Sequence, residues 1–221
     1  MMRDFGQALR ESERRIWEQL STPMKIQAFL DKLPYSVETG YRCPLRVLRE
    51  HVAHCFDGAL FGAAALRRLG NPPLILNMIS NDEDDDHILA LYKRDGYWGA
   101  IAKSNFAGLR FRDPVYRTLR ELVMSYFEQF YNVERKKTLR SYTVPLHLRA
   151  FDRFNWMTND PAIEKIGKRL DQIGKIRILT RGMIAGLSLV DERSYRAGLV
   201  GTNRAGLYQP HRRARRKPEK F

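Results

Sequence analysis

The chain has 221 residues, 43% of them hydrophobic, which is enough for one large domain with an ample core. Its 39 Lys and Arg against 25 Asp and Glu leave a formal net charge of +14, a balance that favours polyanions but by itself defines no activity. No apolar run reaches about 18 residues, two cysteines give no disulfide framework, and the charged N-terminus MMRDFGQALRESERRIWEQL lacks an apolar signal-peptide centre. A reducing, cytoplasmic location without membrane contact is the expectation.

Residues 6–20 read as an amphipathic helix, with Ile16 and Leu20 among its apolar positions. In TPMKIQAFLDKLPY, Thr22 is placed to cap a second short helix, Pro23 to open it and Pro34 to end it. After a turn around Gly40, a short helix from Pro44 carries Leu45, Val47 and Leu48. Then comes EHVAHCFDGALFGAAALRRLGNPP, in which Cys55 opens a helix of small and apolar residues. That helix closes on Arg67-Arg68, Gly70 and Pro72-Pro73. With so little side-chain bulk it can be approached closely, and it is expected at the centre of the fold.

Beyond Pro73 the pattern changes to strands. LILNMI (Leu74 to Ile79) is a continuous apolar run of strand length, and HILALYK (His87 to Lys93) is the next. Arg94-Asp95-Gly96-Tyr97 carries a hairpin signal, and WGAIAK (Trp98 to Lys103) returns as the partner strand. From Val115 to Phe130 the apolar spacing predicts one long amphipathic helix. Leu139 to Asp152 reads as extended. Asp160-Pro161 opens a helix to about Ile173, closed by Gly174, and Ile176 to Val190 fits either strand or helix. The division expected from this pattern is an N-terminal helix (1–21), a core domain (22–132), an extension of unclear fold (133–208) and a basic, disordered tail (209–221).

A cysteine in the first turn of such a helix is either a small buried hydrophobe or a thiol whose anion the helix dipole favours. The order of the next elements bears on the choice: a strand, a histidine opening a second strand, then a hairpin to a third. A thiol nucleophile needs a base to accept and return its proton. HCFDGALFGAAALRRLGNPPLIL (His54 to Leu76) and HILALYKRDGYWGAIA (His87 to Ala102) resemble the nucleophile helix and histidine strand of the transglutaminase-like superfamily of papain-type cysteine enzymes. The resemblance covers roughly residues 22 to 131. It implies an α+β fold, a papain/transglutaminase-like core with the nucleophile helix packed on an antiparallel sheet, followed by a mixed, basic C-terminal extension.

The same resemblance implies that Cys55 is the nucleophile and His87 its base, with Trp98 a core wall behind the histidine. Family members carry an orienting aspartate four residues after the tryptophan, and here that position is Ala102. Ser104 and Asn105 are the nearby polar residues that can replace it. An oxyanion hole needs the Cys55 N–H and one more donor, for which His54 and Tyr41 are candidates. Cys43 has no such setting and reads as structural.

Other chemistries fit less well. His51, His54, Cys55 and His87 invite a zinc reading, but adjacent His54 and Cys55 would have to converge from different directions. The acidic run Asp82 to Asp86 lacks the glycine and twelfth-position glutamate of a calcium loop, and Lys93 stands at that position. No metal or cofactor is therefore expected. The expected activity is thiol-dependent acyl chemistry on a peptide or amide, by hydrolysis or amine transfer. The alternative is an inactive binding or scaffold protein whose tail, with six Lys or Arg between His211 and Lys220, contacts nucleic acid or an acidic partner.

Overall fold

The computed structural model describes residues 5–210; the basic segment 211–221, and with it most of the expected tail, lies outside them. The chain is α+β. Phe5–Ala8 forms a 3₁₀ turn, and α1 (Glu11–Gln19) begins after a break at Leu9-Arg10. Thr22 Oγ1 accepts from Lys25 N at 3.2 Å and Pro23 takes the first position of α2 (Pro23–Lys32). Then come α3 (Pro44–Glu50) and α4 (Cys55–Arg68), which ends at Gly70 with φ +87°, a conformation open to glycine.

The strands β1 (Leu74–Ser80), β2 (His87–Arg94) and β3 (Tyr97–Ile101) form an antiparallel meander. Asp95 and Gly96, at φ 53° and 84°, make the expected two-residue turn. The long helix expected over 115–130 does not form. Instead β4 (Arg112–Tyr116) adds to the edge of β3, α5 (Leu119–Met124) starts at the Thr118 cap, and Phe127–Gln129 is a 3₁₀ turn. The helical spacing misled because Val115, its first member, is an edge-strand residue 64% exposed, while Thr118 opens a new helix three residues later.

The sheet continues across position 133. β5 (Leu139–Thr143) pairs antiparallel with β1, and β6 (Leu146–His147) pairs with the other end of the same strand. After a 3₁₀ segment at Leu148–Phe154, α6 (Pro161–Gln172) packs its Ala162, Ile163, Ile166 and Leu170 into the core beside α4. β7 (Lys175–Arg177) extends the sheet beyond β5, giving the order β4-β3-β2-β1-β5-β7. Two short helices, α7 (Arg181–Ala185) and α8 (Glu192–Gly198), precede a final strap over residues 203–208.

Each face of the sheet covers its own core. Ile75, Ile88, Ala90, Tyr92 and Ile101 face α4 together with α1, α2, α3 and α6. Leu76, Met78, Leu89, Leu91, Ala100 and Ala102 face the opposite layer, built by α5 and residues 106–130. The small residues of α4 act as the sequence suggests. A Cβ on Gly58 would stand 2.2 Å from Lys103 Cβ, and one on Gly62 would stand 3.0 Å from Ala90 Cβ. No described helix is long and apolar enough to cross a membrane.

Candidate functional site

Cys55 is the first residue of α4 and lines a cleft of about 400 Å³ with Tyr35, Glu38, Tyr41, His54, Asp85 and Ile88. The strap closes one side of it: Ala205 to Tyr208 line the cleft, and the Tyr208 hydroxyl donates to Asp82 O at 3.2 Å. The helix start is built rigidly. His54 Nδ1 accepts from Phe56 N at 3.0 Å, while the fully buried Asp57 accepts from His54 N at 3.2 Å and Arg42 N at 2.9 Å. Arg42, 2% exposed, adds ion pairs to Glu38, Glu50 and Asp57 and so ties the 36–42 loop to the helix start.

The thiol is half-buried. Its Sγ donates to Asp86 O at 3.8 Å, and Tyr35 and Ile88 line the same cleft beside it. Burial, reinforced by the negative charges of Asp85 and Asp57, pushes its pKa up to about 12. The protonated form therefore dominates at neutral pH.

His87 does not join this thiol. In the β1–β2 ladder Met78 pairs with His87 and Asn77 with Ile88, so the imidazole shares the face of Met78 and Leu89, opposite α4. Its Nε2 donates to Leu109 O at 2.7 Å, and its ring stands 6.5 Å from that of Phe130. Burial lowers its pKa to about 4, with nearby Arg112 acting in the same direction. The side chain on the thiol's face is Ile88, which offers no proton acceptor.

The other expected site residues have different partners. Ser104 Oγ accepts from Phe106 N at 2.9 Å, and Asn105 exchanges two hydrogen bonds with the backbone of Asn203, holding the strap. Neither orients His87. The His54 backbone N–H is spent on Asp57, which removes it as an oxyanion donor. Tyr41, 42% exposed, lies edge-on to His54 and Phe56 at the cleft wall. Trp98 sits at the hairpin end of β3 under Lys93 Nζ, 4.2 Å from its ring centroid, remote from the His87 end of β2. Cys43 is buried, its thiol pushed up to about 12 by burial and Asp160. Among the described residues, no group of three or more His, Cys, Asp or Glu side chains gathers to hold a metal.

Sequence reasoning missed Tyr35, Asn77 and Ile88. Asn77 carried a readable signal, a lone amide inside the otherwise apolar run LILNMI.

No protein-family model matches this chain, and no curated protein is detectably similar to it. Among solved structures it is similar to Legionella pneumophila LapG, at TM-score 0.34 and 12% identity, over 44% of this chain and 68% of that one. The EGTA-treated form of the same protein gives TM-score 0.34 and 12% identity, over 45% of this chain and 66% of that one.

Proposed function

We propose that the chain is a papain/transglutaminase-like core used for binding, with a polyanion, nucleic acid foremost, as the partner of its basic C-terminal segment. The observation that carries this reading is the placement of His87 on the face of the sheet opposite Cys55, bonded to Leu109 O. A thiol with no base beside it, held protonated by burial and by Asp85, is a poor nucleophile. The helix opening on Cys55 and leading into three antiparallel strands supports the core assignment, and the net charge of +14 supports the partner class.

A second reading, thiol-dependent hydrolysis or amine transfer, keeps one observation in its favour: Cys55 opens α4 and lines a cleft. It requires a rearrangement that brings a base to the sulfur. The rate of Cys55 alkylation by iodoacetamide against pH, in wild type and His87→Ala, separates the two. The binding reading expects an apparent pKa above the ordinary thiol value of about 8.5, unchanged by the substitution. A value well below it that the substitution restores would establish an activated pair and overturn the binding reading. Retention of duplex DNA that weakens steeply with salt tests the partner. Absence of salt-sensitive retention would overturn nucleic acid as the partner.

A further inference from the structure

The strap beside Cys55 is the most weakly anchored wall of its cleft. No residue from 201 to 210 is buried, and polar contacts hold the segment instead. Asn105 and Asn203 exchange two hydrogen bonds of 2.9 Å, Thr202 Oγ1 donates to Asn105 O at 2.8 Å, and Asn203 Nδ2 donates to Tyr35 O at 3.1 Å. At the far end the Tyr208 hydroxyl reaches Asp82 O. Between these anchors Gly206 lies on the Tyr35 ring, so close that a Cβ would stand 3.0 Å from Tyr35 Cδ1. Tyr35 in turn lines the cleft with Cys55. A segment tied down by a few exposed hydrogen bonds, with no buried apolar side chain, can open without unfolding the core.

The place where the strap ends gives it a second property. Tyr208 stands against the acidic run Asp82 to Asp86, and three residues later the chain enters HRRARRKPEK, with six Lys or Arg against one Glu. Three residues span at most about 11 Å, so a closed strap starts the basic segment near five carboxylates. Two electrostatic consequences then have the same sign. The segment's cations are attracted to the acidic run, which favours the closed strap, and a polyanion that takes them up cancels that attraction. The polyanion is itself repelled by the acidic run, so it binds best when the strap carries the basic segment away.

We propose that residues 203–208 are a gate on the Cys55 cleft, closed in the free protein and released when a polyanion binds the basic segment beyond Pro210. The trigger rests on the binding reading above; the gate itself does not. Opening uncovers the thiol and the Tyr35 wall, so occupancy of the C-terminal segment is felt at the start of α4. The coupling is reciprocal: whatever loosens the strap also strengthens polyanion binding.

The test is the rate of Cys55 alkylation by iodoacetamide in the full chain at fixed pH, read by peptide mapping. Cys43, buried and in the same digest, reports general unfolding. Asn105→Ala combined with Asn203→Ala removes the side-chain bonds of the strap and should speed Cys55 alkylation about tenfold while leaving Cys43 unchanged. If that pair does not fold, Tyr208→Phe, which removes a single hydroxyl, decides alone with a rise of about threefold. A short duplex DNA at low salt should also speed alkylation of the wild type, whereas a polyanion that merely lay nearby would slow it by disfavouring the thiolate. By linkage the pair variant should bind that DNA several-fold more tightly than wild type. An unchanged Cys55 rate in the strap variants, or equal acceleration at Cys43, would overturn the gate. DNA that is retained without speeding alkylation overturns the coupling and leaves the binding reading intact. DNA that is not retained brings down that reading and the trigger together.

Discussion

Met78 and His87 are cross-strand partners, and this pairing decides which side of the sheet the imidazole occupies. A slip of one residue would exchange His87 for Ile88 and bring the ring to the thiol. As paired, the histidine is a buried neutral donor to Leu109 O, and its protonation belongs to stability. The unfolded imidazole takes a proton near pH 6.5, the folded one only near pH 4, so between those values the unfolded state binds more protons. The contribution of His87 is present above pH 6.5 and lost as pH falls through 4. Urea unfolding from pH 7 to pH 4 should show wild type losing about 3 kcal/mol more than His87→Leu. Parallel pH profiles for the two proteins would refute the buried, neutral assignment.

Gly58 and Gly62 separate two degrees of close approach along α4. The Cβ of an alanine at 58 meets Lys103 Cβ at 2.2 Å, with the Lys103 backbone close behind; at 62 it meets a methyl group at 3.0 Å. Lys103 has little room to move, because it is buried and its Nζ donates to Leu30 O at 2.9 Å and also to Leu33 O, closing the end of α2. Gly58→Ala should therefore destabilise by about 2–3 kcal/mol, within the overpacking range, and Gly62→Ala by clearly less. Thermal melts of the two variants give the comparison, and equal losses would contradict it.

Arg42 joins the cleft loop to the start of α4, and its value lies in what it leaves behind when removed. Arg42→Met strands the fully buried Asp57 without its cation, and the expected loss is about 3–5 kcal/mol. Combining it with Asp57→Asn should cost less than the two single changes summed, by about 1 kcal/mol or more, since the stranded charge goes too. Additive losses in a double-mutant cycle would mean that the two residues act independently.

What was readable in the sequence was local chemistry. Thr22 and Pro23 opened α2 as expected, Gly70 closed α4, Asp95-Gly96 made the turn, and Pro161 opened α6. Each of these depends on backbone preferences within four residues. Strand parity does not. His87 stands at the first position of β2, where a continuous apolar run gives no alternation, so nothing in HILALYK says which face its side chains take. The ladder with β1 sets it. The extended character of Leu139–Thr143 was readable, but its pairing was hidden, since its partner β1 lies some sixty residues earlier and the basic stretch between them reads as a border. The start of α4 at Cys55 was legible, but reading that cysteine as a nucleophile leaned on the order of the following strands and His87, and the geometry of its surroundings was not legible.

Asp84 carries the opposite pH signature to His87. Within DEDDD its carboxylate is partly buried by folding and accepts from Thr138 Oγ1 at 2.5 Å, and burial together with Asp85 and Asp86 raises its pKa to about 6. The unfolded value is near 3.8, so between those limits the folded state binds more protons. The stability this group contributes is full below pH 3.8 and is lost as pH rises through 6. Above that it is an ionised carboxylate held against two others, an arrangement that Asp84→Asn relieves while an amide oxygen still accepts from Thr138. Asp84→Asn should melt higher than wild type at pH 8 and close to it at pH 4. A variant that melts lower at pH 8 would show that the charge of Asp84 holds the acidic loop, through its hydrogen bond from Thr138, more than it strains it.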